Sequence, residues 1–287
     1  MPARLVALIQ MRWRRGCPAV VAAALAMAMT PAAAGTLALE GQPMQGSVLR
    51  GHVEPADATV SFAGREVRID DAGRFIIGFG RDAPMQATVV AEWPDGTRER
   101  RELTVGQRGY DIQRIDGLPD RKVTPKDWDL ERIKREAALV REARHRDDRR
   151  TDYRSGWQWP TQGTITGVYG SQRILNGEPR RPHYGVDIAA PVGTPVNAPA
   201  DGVVTLTHDD MFFSGGTLLL DHGHGLSSAF LHLSRITVEE GERVNRGDKI
   251  AEVGASGRVT GAHLDWRMNW FDRRVDPALL VPPMPSQ

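Results

Sequence analysis

Between Gly35 and Val105 apolar and polar residues alternate in short runs: Ser47 to Val53, Thr59 to Phe62, Glu66 to Ile69, Arg74 to Phe79, Thr88 to Trp93 and Thr97 to Val105. A period of two in runs this short predicts strands that turn alternate side chains to one face. Asp71-Ala72-Gly73 and Pro94-Asp95-Gly96 break the pattern where a hairpin wants a residue at positive φ. The expected product is a small β-sandwich over residues 35–120. His52 stands alone in it and reads as structural.

The period then changes. Behind Thr124-Pro125, a cap followed by a first-turn proline, Leu130, Ile133, Ala137 and Val140 recur at helical spacing. They predict a helix of about six turns, at 3.6 residues per turn, from Thr124 to Asp148. Its apolar stripe is narrow, and Arg132 to Arg150 is dense in charge of both signs. Residues 121–152 therefore read as a solvated connecting helix, with a partner-binding helix as the alternative and His145 exposed and idle. From residue 153 to 287 glycine-rich, β-type sequence returns. The chain is thus expected to be mainly β, two β modules joined by one helix, in keeping with a length of 287 residues.

Residues 1–34 differ from the rest. They carry Arg4, Arg12, Arg14 and Arg15, no acidic residue, and an alanine-rich apolar run from Pro18 to Thr30 that ends before Ala32-Ala33-Ala34. This is the pattern of a signal peptide cleaved after Ala34, and it predicts export, with the periplasm as the expected compartment and no membrane span after cleavage. The run is short and closed by Pro31, which argues against a retained anchor helix. Lysine plus arginine, 37, balances aspartate plus glutamate, 36, and no basic block is interleaved with aromatics, so nucleic acid is not an expected partner. The single cysteine, Cys17, precedes the apolar run, which leaves none for disulfides in the mature chain.

The candidate chemistry lies in the last module. His183-Tyr184-Gly185-Val186-Asp187 sets an imidazole and a carboxylate four apart around a glycine, and both are ordinary zinc ligands. Further along come Gly193-Thr194-Pro195, His222-Gly223-His224-Gly225, Phe230-Leu231-His232-Leu233 and Gly261-Ala262-His263-Leu264-Asp265. In order and spacing these resemble the lysostaphin-type, or LytM-like, zinc metallopeptidases, from Trp159 to Leu280.

The resemblance implies a compact antiparallel β-sheet peptidase domain, one Zn2+ ion and peptidoglycan as the substrate. It maps two metal ligands onto His183 and Asp187, and catalytic roles onto His232 and His263. The third ligand of the family is the second histidine of a His-x-His pair, where this chain has Asp265. Residues two apart on a strand share a face, so His263 and Asp265 are expected to project together. A second carboxylate would neutralise the ion more fully and leave a weaker Lewis acid, so lower activity or an altered metal preference is expected.

His222, His224 and His208 read as structural or rim residues, and Arg173 to Arg181 as a polar loop beside the substrate groove. Phe230 stands where relatives commonly have tyrosine. The leading expectation is a zinc-dependent endopeptidase cutting peptide cross-links of peptidoglycan. The alternative is a degenerate LytM-like module that binds the wall or a partner and regulates another hydrolase; a regulatory protein partner therefore stays open. A generic carbohydrate-binding β protein is the third reading.

Overall fold

The computed structural model describes residues 35–285. The expected leader, residues 1–34, lies outside them. Among the described residues no helix is long and apolar enough to cross a membrane.

The N-terminal alternation resolves into two small antiparallel sheets. One orders Thr36–Glu40, Val48–Glu54 and Arg74–Gly78; the other orders Arg65–Val67, Thr59–Phe62, Gln86–Glu92 and Arg98–Thr104. Gly73 and Gly96 sit at φ 75° and 85° in the two expected turns. Leu49, Val53, Val60, Phe62, Phe75, Ile77 and Val89 fill the space between the sheets. That core does not close on itself. Phe62 packs against Trp270 of the C-terminal region, with ring centroids 5.8 Å apart, and Gly78 lies so close to Trp270 that a Cβ there would come within 2.6 Å of it. Arg108 adds an ion pair to the buried Asp276 at 2.8 Å.

The C-terminal sheet is built on an antiparallel path. In spatial order it runs Arg243–Val244, Gly202–Met211, Gly215–Asp221, Leu226–Ile236, His263–Trp270, Gly185–Ala189 and Thr164–Gly167. Between its bulges its strands alternate between two faces. Leu218, Leu220, Phe230, Leu264, Trp266 and Met268 point into the main core, whereas Leu219, Ala229 and Leu231 point the other way. A sheet with apolar residues on both faces needs a cover on each.

The long helix supplies the second cover. It runs Asp127–Arg144, five turns rather than six, and is preceded by a separate short turn, Asp120–Val123. The start expected at Thr124-Pro125 is displaced because Thr124 caps the short turn, its N–H bonding Asp120 O; Lys126 and Asp129 form the capping box of the long helix instead. Val140 and Ala143 pack on Leu206, Met211, Leu219, Ala229 and Leu231. Glu136 Oε1 takes Arg132, and its Oε2 accepts from Phe212 N at 2.7 Å. Leu130, expected on the buried stripe, is exposed, and so is His145 at the C-cap. The helix is a structural wall of the sheet rather than a solvated spacer.

Candidate metal centre

The strand register brings the site together on the face that the helix partly covers. Asp187 and Asp265 are directly opposite each other, as are Ala189 and His263, and Gly185 and Arg267. Residues 263, 265 and 267 therefore share one face while Leu264 and Trp266 fill the core behind them. His183 precedes the strand and is tied at both ends of its backbone, its N–H to Ser171 O and its C=O to Gly170 N.

His183 Nε2 lies 3.0 Å from Asp187 Oδ1 and 3.4 Å from Asp265 Oδ1. The first distance would suit a hydrogen bond, yet His183 Nε2 and Asp187 Oδ1 are both buried and without a hydrogen-bond partner, as is His183 Nδ1. They do not aim at each other. Two donors held about 2.0–2.1 Å from a tetrahedral ion stand about 3.3 Å apart, close to the separations seen here. His183, Asp187 and Asp265, all buried, are the one group of potential ligands among the described residues whose donor atoms lie within 4.8 Å of one another. An imidazole and two carboxylates fit a small divalent cation such as zinc.

Two glycines make room for this cluster. A Cβ on Gly167 would sit 2.3 Å from Asp187 Oδ2, and one on Gly185 would sit 2.6 Å from Asp265 Oδ1. The glycine at the centre of the His183-to-Asp187 motif is thus required by the carboxylate across the sheet.

The outer oxygens of both carboxylates are taken by arginines. Arg173 donates to Asp187 Oδ2 at 2.6 Å, and Arg267 reaches Asp265 Oδ2 at 2.5 Å through its NH2 group and both oxygens at 3.0 Å through Nε. Burial pushes the Asp265 carboxyl up, but Arg267 and His183 outweigh it and hold the group well below the usual carboxylate range. Burial and Asp265 also act upward on Asp187, where His183 and Arg173 prevail and lower it. Burial pulls His183 down, and the two carboxylates raise it by more. Neither arginine was singled out by sequence as a carboxylate partner. The two-residue spacing of Asp265 and Arg267 on one strand was the available signal. Arg173 belongs to the strand Gln172–Leu175, which pairs in parallel with Ile112–Ile115, rather than to a loop.

His232 and His263 stand beside the cluster, their rings 4.8 Å apart. Strict alternation would send His232 into the core, since Leu231 faces the site. A bulge prevents this. Gly216 pairs with Leu233 and Leu218 with Phe230, so the Leu226–Ile236 strand carries an extra residue, and His232 takes φ 67°. Its Nδ1 is 2.8 Å from Ser256 O and so bears the proton, which leaves Nε2 as an acceptor. Burial pulls this ring down to about 4, keeping it neutral at pH 7. His263 Nδ1 is likewise 2.9 Å from Gly261 O, and its Nε2 is 3.8 Å from Asp187 Oδ1.

The other histidines lie apart. His222 bridges Asp201 O at 2.6 Å and Ser228 Oγ at 2.8 Å, and His224, at φ 50°, packs on Tyr153. His208 Nδ1 accepts from Asp210 N, and His52 is exposed on its strand.

The sequence model of Peptidase family M23 matches residues 181–277, the stretch that carries this cluster. A solved structure described as a peptidase M23 of Pseudomonas aeruginosa is 30% identical, covering 84% of this chain and 95% of that one at a TM-score of 0.65. The chain belongs to peptidase family M23. Two curated relatives match over shorter stretches. Peptidoglycan DD-endopeptidase ShyA of Vibrio cholerae is 38% identical over 120 residues, which is 39% of this chain and 28% of that protein. A lipoprotein NlpD/LppB homolog of Pseudomonas aeruginosa is 32% identical over 127 residues, 44% and 40% of the two chains. The chain therefore spans less than half the length of these curated relatives.

Proposed function

We propose that the chain is an exported, periplasmic zinc-dependent endopeptidase that hydrolyses peptide cross-links of bacterial peptidoglycan. The observation that carries this reading is the convergence of His183 Nε2, Asp187 Oδ1 and Asp265 Oδ1, buried and mutually unbonded, at ligand-to-ligand separations. These three would hold the ion, with Asp265 in the place of the expected histidine. When bound, the ion supplies a Lewis acid and an acidified water for attack on an amide carbonyl. The naming of ShyA as a peptidoglycan DD-endopeptidase supports the choice of substrate.

The rest of the work falls to side chains. His232, locked in one tautomer by Ser256 O, presents an unprotonated Nε2 that can take a proton from the attacking water or orient it. His263, half-buried and nearer the surface, is placed to stabilise the developing oxyanion or to pass a proton to the leaving amine. Arg173 and Arg267 hold the two carboxylates so that one oxygen of each faces inward.

A metal-replete chain incubated with purified sacculi should release new muropeptides, and chelation should stop the release. Zinc binding at one equivalent with no product would sink the catalytic assignment.

One observation favours a second reading, a degenerate module that binds the wall or regulates another hydrolase. Arg267 contacts both oxygens of Asp265, Oδ1 included, and so supplies a positive charge where the ion would otherwise be needed. Under that reading zinc neither binds stoichiometrically nor alters stability.

A further inference from the structure

Beside the metal centre a cavity of about 520 Å³ opens between the long helix and the outer face of the sheet. His232, Arg173 and Arg267 are among the residues that line it. Val140, Leu219, Ala229 and Leu231 make up an apolar part of its wall. The rest is unusually cationic: besides Arg173 and Arg267 the lining includes Arg141, Arg144, Arg181, Arg258 and Arg274.

These charges are poorly balanced from within: the lining also carries Asp272, but among the described residues it forms no ion pair with any of them. Asp187 and Asp265 are engaged by Arg173 and Arg267, and Glu136 is engaged by Arg132 and Phe212 N. Among the described residues none of Arg141, Arg144, Arg181, Arg258 and Arg274 has a carboxylate within 4.0 Å; Arg274 donates only to Asn269 Oδ1 at 3.1 Å and Arg258 only to Lys122 O at 3.2 Å. Burial and then neighbouring guanidinium groups pull both Arg258 and Arg274 down to about 10. Half-buried cations packed against one another are costly unless an anion joins them.

We propose that this cavity binds a peptide bearing at least two free carboxylates, with Arg144, Arg181 and Arg274 as the receiving groups and the apolar wall taking the aliphatic stem. Carboxylate is favoured because a guanidinium fork matches it in two parallel bonds, as Arg267 already shows on Asp265 with Nε on Oδ1 and its NH2 group on Oδ2. The apolar part of the lining also suits an amphipathic peptide better than a bare inorganic anion. The inference deepens the endopeptidase reading and rests on it for the identity of the peptide, since stem peptides of peptidoglycan carry such carboxylates.

The test is calorimetric titration of the full chain, with and without zinc. The probes are the synthetic tripeptide L-alanyl-γ-D-glutamyl-diaminopimelate and its fully amidated counterpart. The acid should bind at least about tenfold more tightly than the amide. Arg181→Gln, on an exposed loop, and Arg274→Gln should each weaken the acid about tenfold, the scale of one lost charge-assisted bond, and leave the amide unchanged. Lysine at either position should restore part of the loss, and the thermal midpoints of the variants report that they are folded. Equal binding of acid and amide, absence of binding by both, or indifference to the substitutions overturns the proposal. Displacement of the acid by equimolar inorganic phosphate also overturns it and assigns the cavity to phosphate. Selective binding of the acid by a chain that cuts no sacculi leaves the cavity standing and removes the hydrolase. Sacculi cut equally fast whether or not their stems are amidated do the reverse.

Discussion

Asp187 and Asp265 face each other across neighbouring antiparallel strands, each with its outer oxygen on an arginine and its Oδ1 turned toward the single imidazole of His183. Like charges directly opposite on a sheet are unfavourable by themselves. The pair is tolerated because two guanidinium groups and an imidazole surround it, and a cation between the inner oxygens would complete the compensation.

Replacing Asp265 tests that completion. Asp265→Ala should abolish stoichiometric zinc, read by atomic absorption after dialysis, because two ligands remain. Asp265→His should retain zinc and retain or raise muropeptide release. Indifference of the zinc content to both changes favours the regulatory module.

Arg267→Gln probes the same pair from outside. Removing one partner of a buried ion pair should lower apo stability by about 3 kcal/mol, because Asp265 is left uncompensated. Zinc should return most of that loss, seen as a larger zinc-induced rise in melting temperature than in the unsubstituted chain. If the ion gives no larger rise, Asp265 does not serve it.

His232→Ala and His263→Ala should each keep one equivalent of zinc while muropeptide release falls about 100- to 10,000-fold, the span of general acid–base contributions. Loss of zinc in either variant would move that histidine from catalysis to ligation.

His222 sets an acid limit on stability. Burial pulls its ring down to about 4 from an ordinary 6.5. The unfolded chain therefore binds the extra proton first, and stability is lost as pH falls from about 6.5 through 4. For this one group the loss approaches 3 kcal/mol, at 1.36 kcal/mol per pH unit. Denaturant titrations at pH 7 and pH 4 should show that the drop is smaller by about this amount in His222→Asn. Equal drops in the two proteins would mean that His222 does not set the limit.

Phe62→Ala should cost about 3–5 kcal/mol, the usual range for a large aromatic removed from a core. Because Phe62 touches Trp270, the loss should appear in one transition that intrinsic tryptophan fluorescence and far-ultraviolet dichroism report together. Two separated transitions would mean that the sandwich and the C-terminal sheet unfold independently.

Much of this architecture was legible in the sequence, because alternation and turn residues act locally. Thr59–Phe62 matches the expected strand to the residue, and Gly73 and Gly96 take the positive φ that their turns demand. His263 and Asp265 share a face, as their two-residue spacing implied, and His183, Asp187 and His232 lie beside them. What escaped depends on contacts distant in sequence. Nothing in the period of residues 59–62 announces that Phe62 leans on Trp270. The helix start moved because Thr124 was already serving the turn before it. In sequence Arg173 reads only as part of a polar loop and Arg267 is not singled out, because the carboxylates they hold are distant in sequence or unplaced without the sheet, and the φ of His232 follows from a bulge that only pairing reveals.

The helix Asp127–Arg144 carries one more consequence. The stretch matched by the family begins at residue 181, yet Val140 and Ala143 of the preceding helix cover part of the apolar surface of Leu219, Ala229 and Leu231. A fragment cut at that boundary would bare an oily strip next to its own candidate active site and clump in solution. Grafted into a chimaera, the matched stretch must at the least carry with it the helix that precedes it.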